Sequence, residues 1–178
     1  MSTTVERYER ALAACGLERA LATGVLTARA NQAAVVEPAI ELPAGVTPPA
    51  PPRDYPELVA RVTRSVAALV DPGASVLVVS RGDPNLLELG AAEGAHFPQS
   101  ADGGFAGYYP RDGESAVAHL RDLRERGAGY LVFPSTCIWW LDHYGPLASY
   151  LLTSARALHH DPDCLVFDLR PERTTPPS

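Results

Sequence analysis

Two apolar patterns alternate along the chain between Asp54 and Leu169. Leu58, Val59, Val62, Val66 and Leu69 recur at three- and four-residue steps, which predicts an amphipathic helix ending at the turn Asp71-Pro72-Gly73. Residues 75–80 form a continuous run rich in β-branched side chains and predict a strand buried on both faces, as in parallel sheets. Asp83-Pro84 then reads as an N-cap with proline at the first helical position, followed by a helix whose Leu86, Leu87 and Leu89 face the sheet. A brief strand at 95–97 and a glycine-rich loop at 102–107 come next. A helix over 114–126 follows, with Val117, Leu120 and Leu123 inward and Gly127 as its cap. Residues 130–133 predict a third strand, and residues 135 to about 155 a third helix. The runs 157–160 and 164–169 read as two strands joined at Asp161-Pro162-Asp163.

Strands alternating with helices predict an α/β fold: a three-layer, Rossmann-like, mainly parallel sheet with right-handed crossovers, closed by a C-terminal antiparallel hairpin. An N-terminal helical extension precedes it. Val5, Tyr8, Leu12, Cys15 and Leu21 fall near helical spacing over residues 4–21, and residues 37–53 are proline-dense, with Pro48-Pro49-Ala50-Pro51-Pro52 at their centre. The expected organisation is an N-terminal helix and proline-rich linker over 1–53, a Rossmann-like domain over 54–169 and a flexible tail over 170–178. The N-terminal helix packs on the main body or offers the face through which a homo-oligomer would form.

Composition narrows the function classes. At 178 residues and 46% hydrophobic content the chain can bury a core of ordinary size. No stretch approaches a membrane span, and the first residues lack the basic and then apolar run of a signal peptide, so a cytoplasmic protein that does not enter a membrane is expected. All fifteen basic residues are arginines, which excludes Schiff-base and P-loop lysine chemistry. A formal charge of -6 with no basic stripe opposes nucleic-acid binding. An anionic metabolite remains a plausible partner, because such a site needs a few oriented groups and not a net charge. Cys15, Cys137 and Cys164 are too few and too far apart for a disulfide framework, and Cys15 and Cys164 read as core residues.

Candidate chemistry gathers where parallel strands end. Ser80-Arg81-Gly82-Asp83, His96-Phe97-Pro98-Gln99 and Pro134-Ser135-Thr136-Cys137 each follow a predicted strand and should converge on one crevice. Arg81 can clamp a carboxylate or phosphate, with the helix beginning near Ser135 adding backbone donors. The turn after the first strand lacks Gly-x-Gly-x-x-Gly, so no nicotinamide cofactor is expected. Cys137, in the first turn of that helix, is either a nucleophile with a lowered pKa, served by His96 or His143, or a buried packing residue. Trp139, Asp142 and His143 share helical spacing, as do Trp140, His143 and Tyr144, so the tryptophans are a groove wall, an interface or core. The loop over 99–110, with Phe105, Tyr108 and Tyr109, is either a lid or a passive connection. His159-His160-Asp161-Pro162-Asp163 has metal-ligand residue types, but adjacent histidines on a strand point to opposite faces and the rest is turn chemistry, so no metal site is expected.

The ordered succession of Val76-Leu77-Val78-Val79-Ser80-Arg81-Gly82-Asp83, His96-Phe97-Pro98-Gln99, Gly107-Tyr108-Tyr109-Pro110, Leu131-Val132-Phe133-Pro134 and Trp139-Trp140-Leu141-Asp142-His143-Tyr144 resembles a poorly characterised bacterial, actinobacterial-type Rossmann-like domain that accompanies glycosyltransferase or methyltransferase domains. Cys137 departs from that pattern, which does not call for a thiol there. The resemblance implies a carbohydrate or secondary-metabolite setting, a glycosyltransferase or other pathway enzyme as partner, and a ligand such as a sugar nucleotide. On this reading the ligand-binding set is Ser80, Arg81, Asp83, Gln99, Tyr108, Ser135, Thr136, Cys137, Trp139 and Trp140. The alternative is a stand-alone biosynthetic enzyme, a small transferase, lyase or cyclase, with His96 or His143 as general base, Asp142 orienting it and Arg81 holding the substrate anion. Neither reading requires a bound cofactor.

Overall fold

The computed structural model describes residues 54–170; the expected N-terminal helix and linker, and all but the first residue of the expected tail, lie outside the described residues. The chain is an α/β protein built on a five-stranded mixed sheet. Helix α1 (Tyr55–Leu69) leads into β1 (Ser75–Val78), and β2 (Glu93–His96) lies beside it. Helix α2 (Gly113–Glu125) precedes β3 (Tyr130–Pro134); α3 (Trp140–His143) and α4 (Gly145–Ser154) precede β4 (Arg156–His160) and β5 (Cys164–Asp168). The sheet order is β2-β1-β3-β5-β4. β1 pairs parallel with both β2 and β3, while β5 runs antiparallel to β3 on one side and β4 on the other.

Alternation along β1 divides the core in two. Val76 and Val78 pack with Leu58, Val62 and Val66 of α1, together with Tyr130, Val132 and Val166. Leu77 and Val79 pack with Leu120 and Leu123 of α2, Leu147 and Leu151 of α4, and Leu131, Phe133 and Phe167. Both faces of the sheet are therefore covered, which explains why its central strands carry no polar side of their own. Each fully buried leucine or valine contributes about 2 kcal/mol from surface removed from water.

Local chemistry sets the helix ends. Asp112 caps α2, its carboxylate accepting from the Ser115 amide at 2.8 Å. At the other end Gly127 is left-handed (φ 105°), and the amide of Ala128 reaches the carbonyl of Leu123 while that of Gly127 reaches Arg124, a Schellman closure.

Two expected helices take another form. After Asp83 the chain makes only a 3-10 helical turn, Pro84–Leu87, although Asp83 caps it as expected, accepting from the Asn85 amide at 2.9 Å. Close approach explains the brevity: a Cβ on Gly94 would stand 2.2 Å from the carbonyl oxygen of Leu87, so β2 lies directly against this turn and leaves no room for a helical layer. The single helix expected from residue 135 to about 155 is divided into a 3-10 turn (Ser135–Cys137), α3 and α4. The break sits at Tyr144 (φ -100°, ψ 70°), just before Gly145 and Pro146, because proline has no amide to continue the ladder and favours a helix start. Tyr144 is buried there, its hydroxyl donating to the carbonyl of Pro110 at 2.8 Å.

Candidate functional site

Parallel pairing places the ends of β1, β2 and β3 level with one another: Val78 is the partner of both His96 and Val132. The residues that follow are thereby brought to one edge. Ser80 is buried, and its Oγ stands 2.6 Å from Nδ1 of His96. The Gly82 amide donates to the same oxygen at 3.2 Å. With that amide supplying one hydrogen bond, the hydroxyl can give its own proton to Nδ1, which leaves the imidazole proton on Nε2. Burial holds His96 below the ordinary histidine range, only partly opposed by the charge of Asp83, and so favours this neutral form.

Arg81 occupies the turn between these groups in a left-handed conformation, φ 56°. It is the sole non-glycine residue with positive φ among the described residues, and for a side chain without a short polar tip this conformation costs roughly 1–2 kcal/mol. Its Nε is buried and has no hydrogen-bond partner among the described residues. Asp83, by contrast, is committed: Oδ1 accepts from the amide and side chain of Asn85, and Oδ2 from the Tyr55 hydroxyl at the start of α1. Burial, then the hydrogen bond and charge of Asp83, push the Tyr55 phenol well above its ordinary range.

The loop over residues 99–110 folds on itself. Gln99 bridges to Phe105, the Ser100 amide donates to the Gly104 carbonyl at 2.8 Å, and Asp102 accepts from the Gly104 amide at 3.1 Å. Phe105 then lies against the Ser80–Gly82 turn, its ring edge-on to His96 at 5.7 Å between centroids. Gly82 permits this contact, since a Cβ there would meet the Phe105 ring at 2.9 Å, and its φ of 88° also suits glycine. The Gln99 side chain is used locally, donating to the His96 carbonyl at 3.2 Å. Tyr108 is 61% exposed.

The segment 135–144 is more enclosed than its chemistry suggested. Cys137 is fully buried, and burial pushes its thiol up to about 11, with Thr136 and the charge of Arg81 opposing only weakly. No long helix begins at Ser135 to lower that pKa; its amide already donates to the Asp163 carbonyl at 2.7 Å. Of the two readings of Cys137, burial favours the packing residue, and the long helix expected to begin near Ser135 is replaced by a 3-10 turn. Thr136 is also buried. Trp140 packs among Phe97, Tyr109 and Tyr144, and Trp139 against Tyr109 and His143. Asp142 and His143 are exposed on α3, and His143 contacts the rings of Trp139 and Tyr144.

Two residues outside the expected set belong to this region. His119, half-buried on α2, accepts from the Gln99 amide through Nε2 at 3.2 Å, and burial holds it below the ordinary range. Its place on the inward stripe with Ala116 and Leu123 is a legible signal. Tyr55, before the proline that starts α1, carries no such signal.

A separate cleft of about 750 Å³ opens at the opposite end of the strands, among Asp71, Ser75, Arg121, Arg124, Tyr150 and Arg170. No family model, no curated protein and no solved structure matches the chain. Among the described residues no helix is long and apolar enough to cross a membrane.

Proposed function

We propose that this chain binds a small polar or anionic metabolite at the edge formed by Ser80, Arg81 and His96, in an accessory role within carbohydrate or secondary-metabolite biosynthesis. The observation that carries this reading is Arg81, a guanidinium in a costly backbone conformation whose buried Nε lacks a hydrogen-bond partner. A site that keeps such strain and such an unsatisfied donor is more economical when an anion completes it. The Nε2 donor of neutral His96 adds a second contact suited to an oxygen, and Phe105 excludes water from one side. On this reading the α/β sheet is Rossmann-like and three-layered, and the protein is cytoplasmic. A sugar nucleotide is the ligand type, and a glycosyltransferase or other pathway enzyme the partner, that fit the motif resemblance.

Thermal melts of the full chain with sugar nucleotides, free sugars, adenosylmethionine and nicotinamide cofactors test it. An anionic ligand at a hundredfold excess over its dissociation constant should stabilise by about 2.7 kcal/mol, and Arg81→Ala should remove that gain. Failure of every anionic compound to raise Tm would sink the proposal.

The enzyme reading has one observation in its favour, the 2.6 Å contact that sets a hydroxyl against an imidazole kept neutral by burial. It assigns the base to His96, with Arg81 as anion clamp, since His96 is the histidine set against the Ser80 hydroxyl. Consumption of a bound ligand by the wild type but not by His96→Ala, with binding retained, would favour it.

A further inference from the structure

The β4–β5 hairpin gathers three side chains of different metal-ligand type. His159, Asp161 and Cys164 place an imidazole nitrogen, a carboxylate oxygen and a sulfur all within 4.8 Å of one another. Ligands sharing a tetrahedral zinc ion stand about 3.5 Å apart, so closure asks for a shift of about 1 Å. We propose that this hairpin is a divalent-metal site of the zinc type, held by His159 Nε2, Asp161 Oδ2 and Cys164 Sγ, with solvent supplying the fourth ligand.

The backbone prepares the site. Pairing between β4 and β5 shifts register between Ala157 and His159, which resets the position of His159 relative to the turn. The Asp161 amide donates to the Cys164 carbonyl at 3.0 Å and closes the turn. Asp161 Oδ1 accepts from the amides of Asp163 and Cys164, each at 2.8 Å. Those bonds orient the carboxylate so that its other oxygen meets His159 Nε2 at 2.8 Å, a hydrogen bond between the two atoms that the ion would replace with bonds to itself.

Access and composition fit the assignment. The side chains of His159 and Asp161 are 29% and 28% exposed, which leaves an approach from solvent, whereas Cys164 is buried beneath them. Nitrogen, oxygen and thiolate sulfur together suit zinc, while calcium and magnesium call for oxygen alone. A histidine–aspartate hydrogen bond accounts for two of the groups, while the thiol, which also packs in the core, stands within reach of both. On binding, the metal–sulfur bond replaces the S–H bond and the proton leaves to solvent. Adjacent histidines are no obstacle, because only His159 is needed and Cys164, across the turn, supplies the third ligand. The Ser80–His96 site lies on β1 and β2, away from this hairpin in the sheet order, so the two proposals stand independently.

Titration of the full, chelator-treated chain with Co²⁺ should produce a thiolate-to-cobalt charge-transfer band that saturates at one ion per chain. Zn²⁺ should displace the cobalt and raise Tm. Cys164→Ser should abolish the band, and His159→Ala, a partly exposed position outside the core clusters, should weaken Zn²⁺ binding by about tenfold or more. Absence of the band in the wild type, or an unchanged Zn²⁺ affinity in His159→Ala, overturns the site.

Discussion

The two ends of the parallel strands use arginine in opposite ways. Where the strands begin, Arg170 donates to both oxygens of buried Asp168 and to Asp71, and lies over the Tyr130 ring at 4.5 Å. Arg124 donates to the Tyr150 hydroxyl and the Ser154 carbonyl, and Arg121 lies over the Tyr150 ring at 4.9 Å. Where the strands finish, Arg81 keeps a buried Nε with no hydrogen-bond partner among the described residues and holds a strained backbone. A cleft of about 750 Å³ is at the first end, and a buried donor without a partner among the described residues is at the second. Open space and unmet hydrogen-bonding capacity are therefore separate signals here: satisfied arginines knit a surface together around the cleft, and the buried Nε without a partner lies elsewhere.

Removing the acceptor at the satisfied end gives the largest expected effect. Asp168→Ala deletes a buried carboxylate that also accepts from Arg156. It should lower stability by about 3 kcal/mol, the scale of hydrogen bonds to charged groups, read as a lower urea midpoint at unchanged slope. No change would mean that these arginines are as uncommitted as Arg81. Arg81→Gly is the converse: it relieves the left-handed strain and should raise stability by up to about 1 kcal/mol while eliminating any ligand-induced shift. Lost stability would show that the guanidinium is structural.

Acidity separates the ends with the smallest effect. Burial alone would raise Asp168, but the hydrogen bonds and charge of Arg170, and then Arg156, outweigh it and hold the carboxyl below its usual range. The stability it supplies is present above the unfolded carboxylate value of about 3.9 and is lost as pH falls through the depressed folded value. His96 and His119 are instead held low by burial. They contribute nothing above about pH 6.5, where both states are neutral; below it the unfolded chain takes up protons that the folded chain resists, and Tm declines. His119→Gln should flatten the decline between neutral and mildly acid pH and leave the strongly acid limb unchanged.

Strand ends were the most legible feature of this chain. The β-branched run to Ser80 marks β1, and parallel topology alone brings Ser80 and His96 together. The left-handed backbone of Arg81 has no counterpart in residue type, since glycine follows it and would suit that conformation better. Leu86, Leu87 and Leu89 have helical spacing, yet the approach of Gly94 to Leu87 is a tertiary fact that spacing does not contain. The break at Tyr144 was readable from Pro146, because a proline inside a helical run moves the helix start towards itself. The nearness of Cys164 to His159 accompanies a register shift between β4 and β5 that alternation rules treat as regular.

The strand order carries a consequence for synthesis from the N-terminus. β1 finds β2 soon after both emerge, but its other edge waits for β3, and β3 in turn waits for β5. Until Tyr130–Pro134 leaves the ribosome, the nascent chain presents the open rim of an apolar strand to its surroundings, a template for pairing with another chain. Truncation before β5 would move that exposed rim to β3, so the third strand covers the first and the last strand made covers the third.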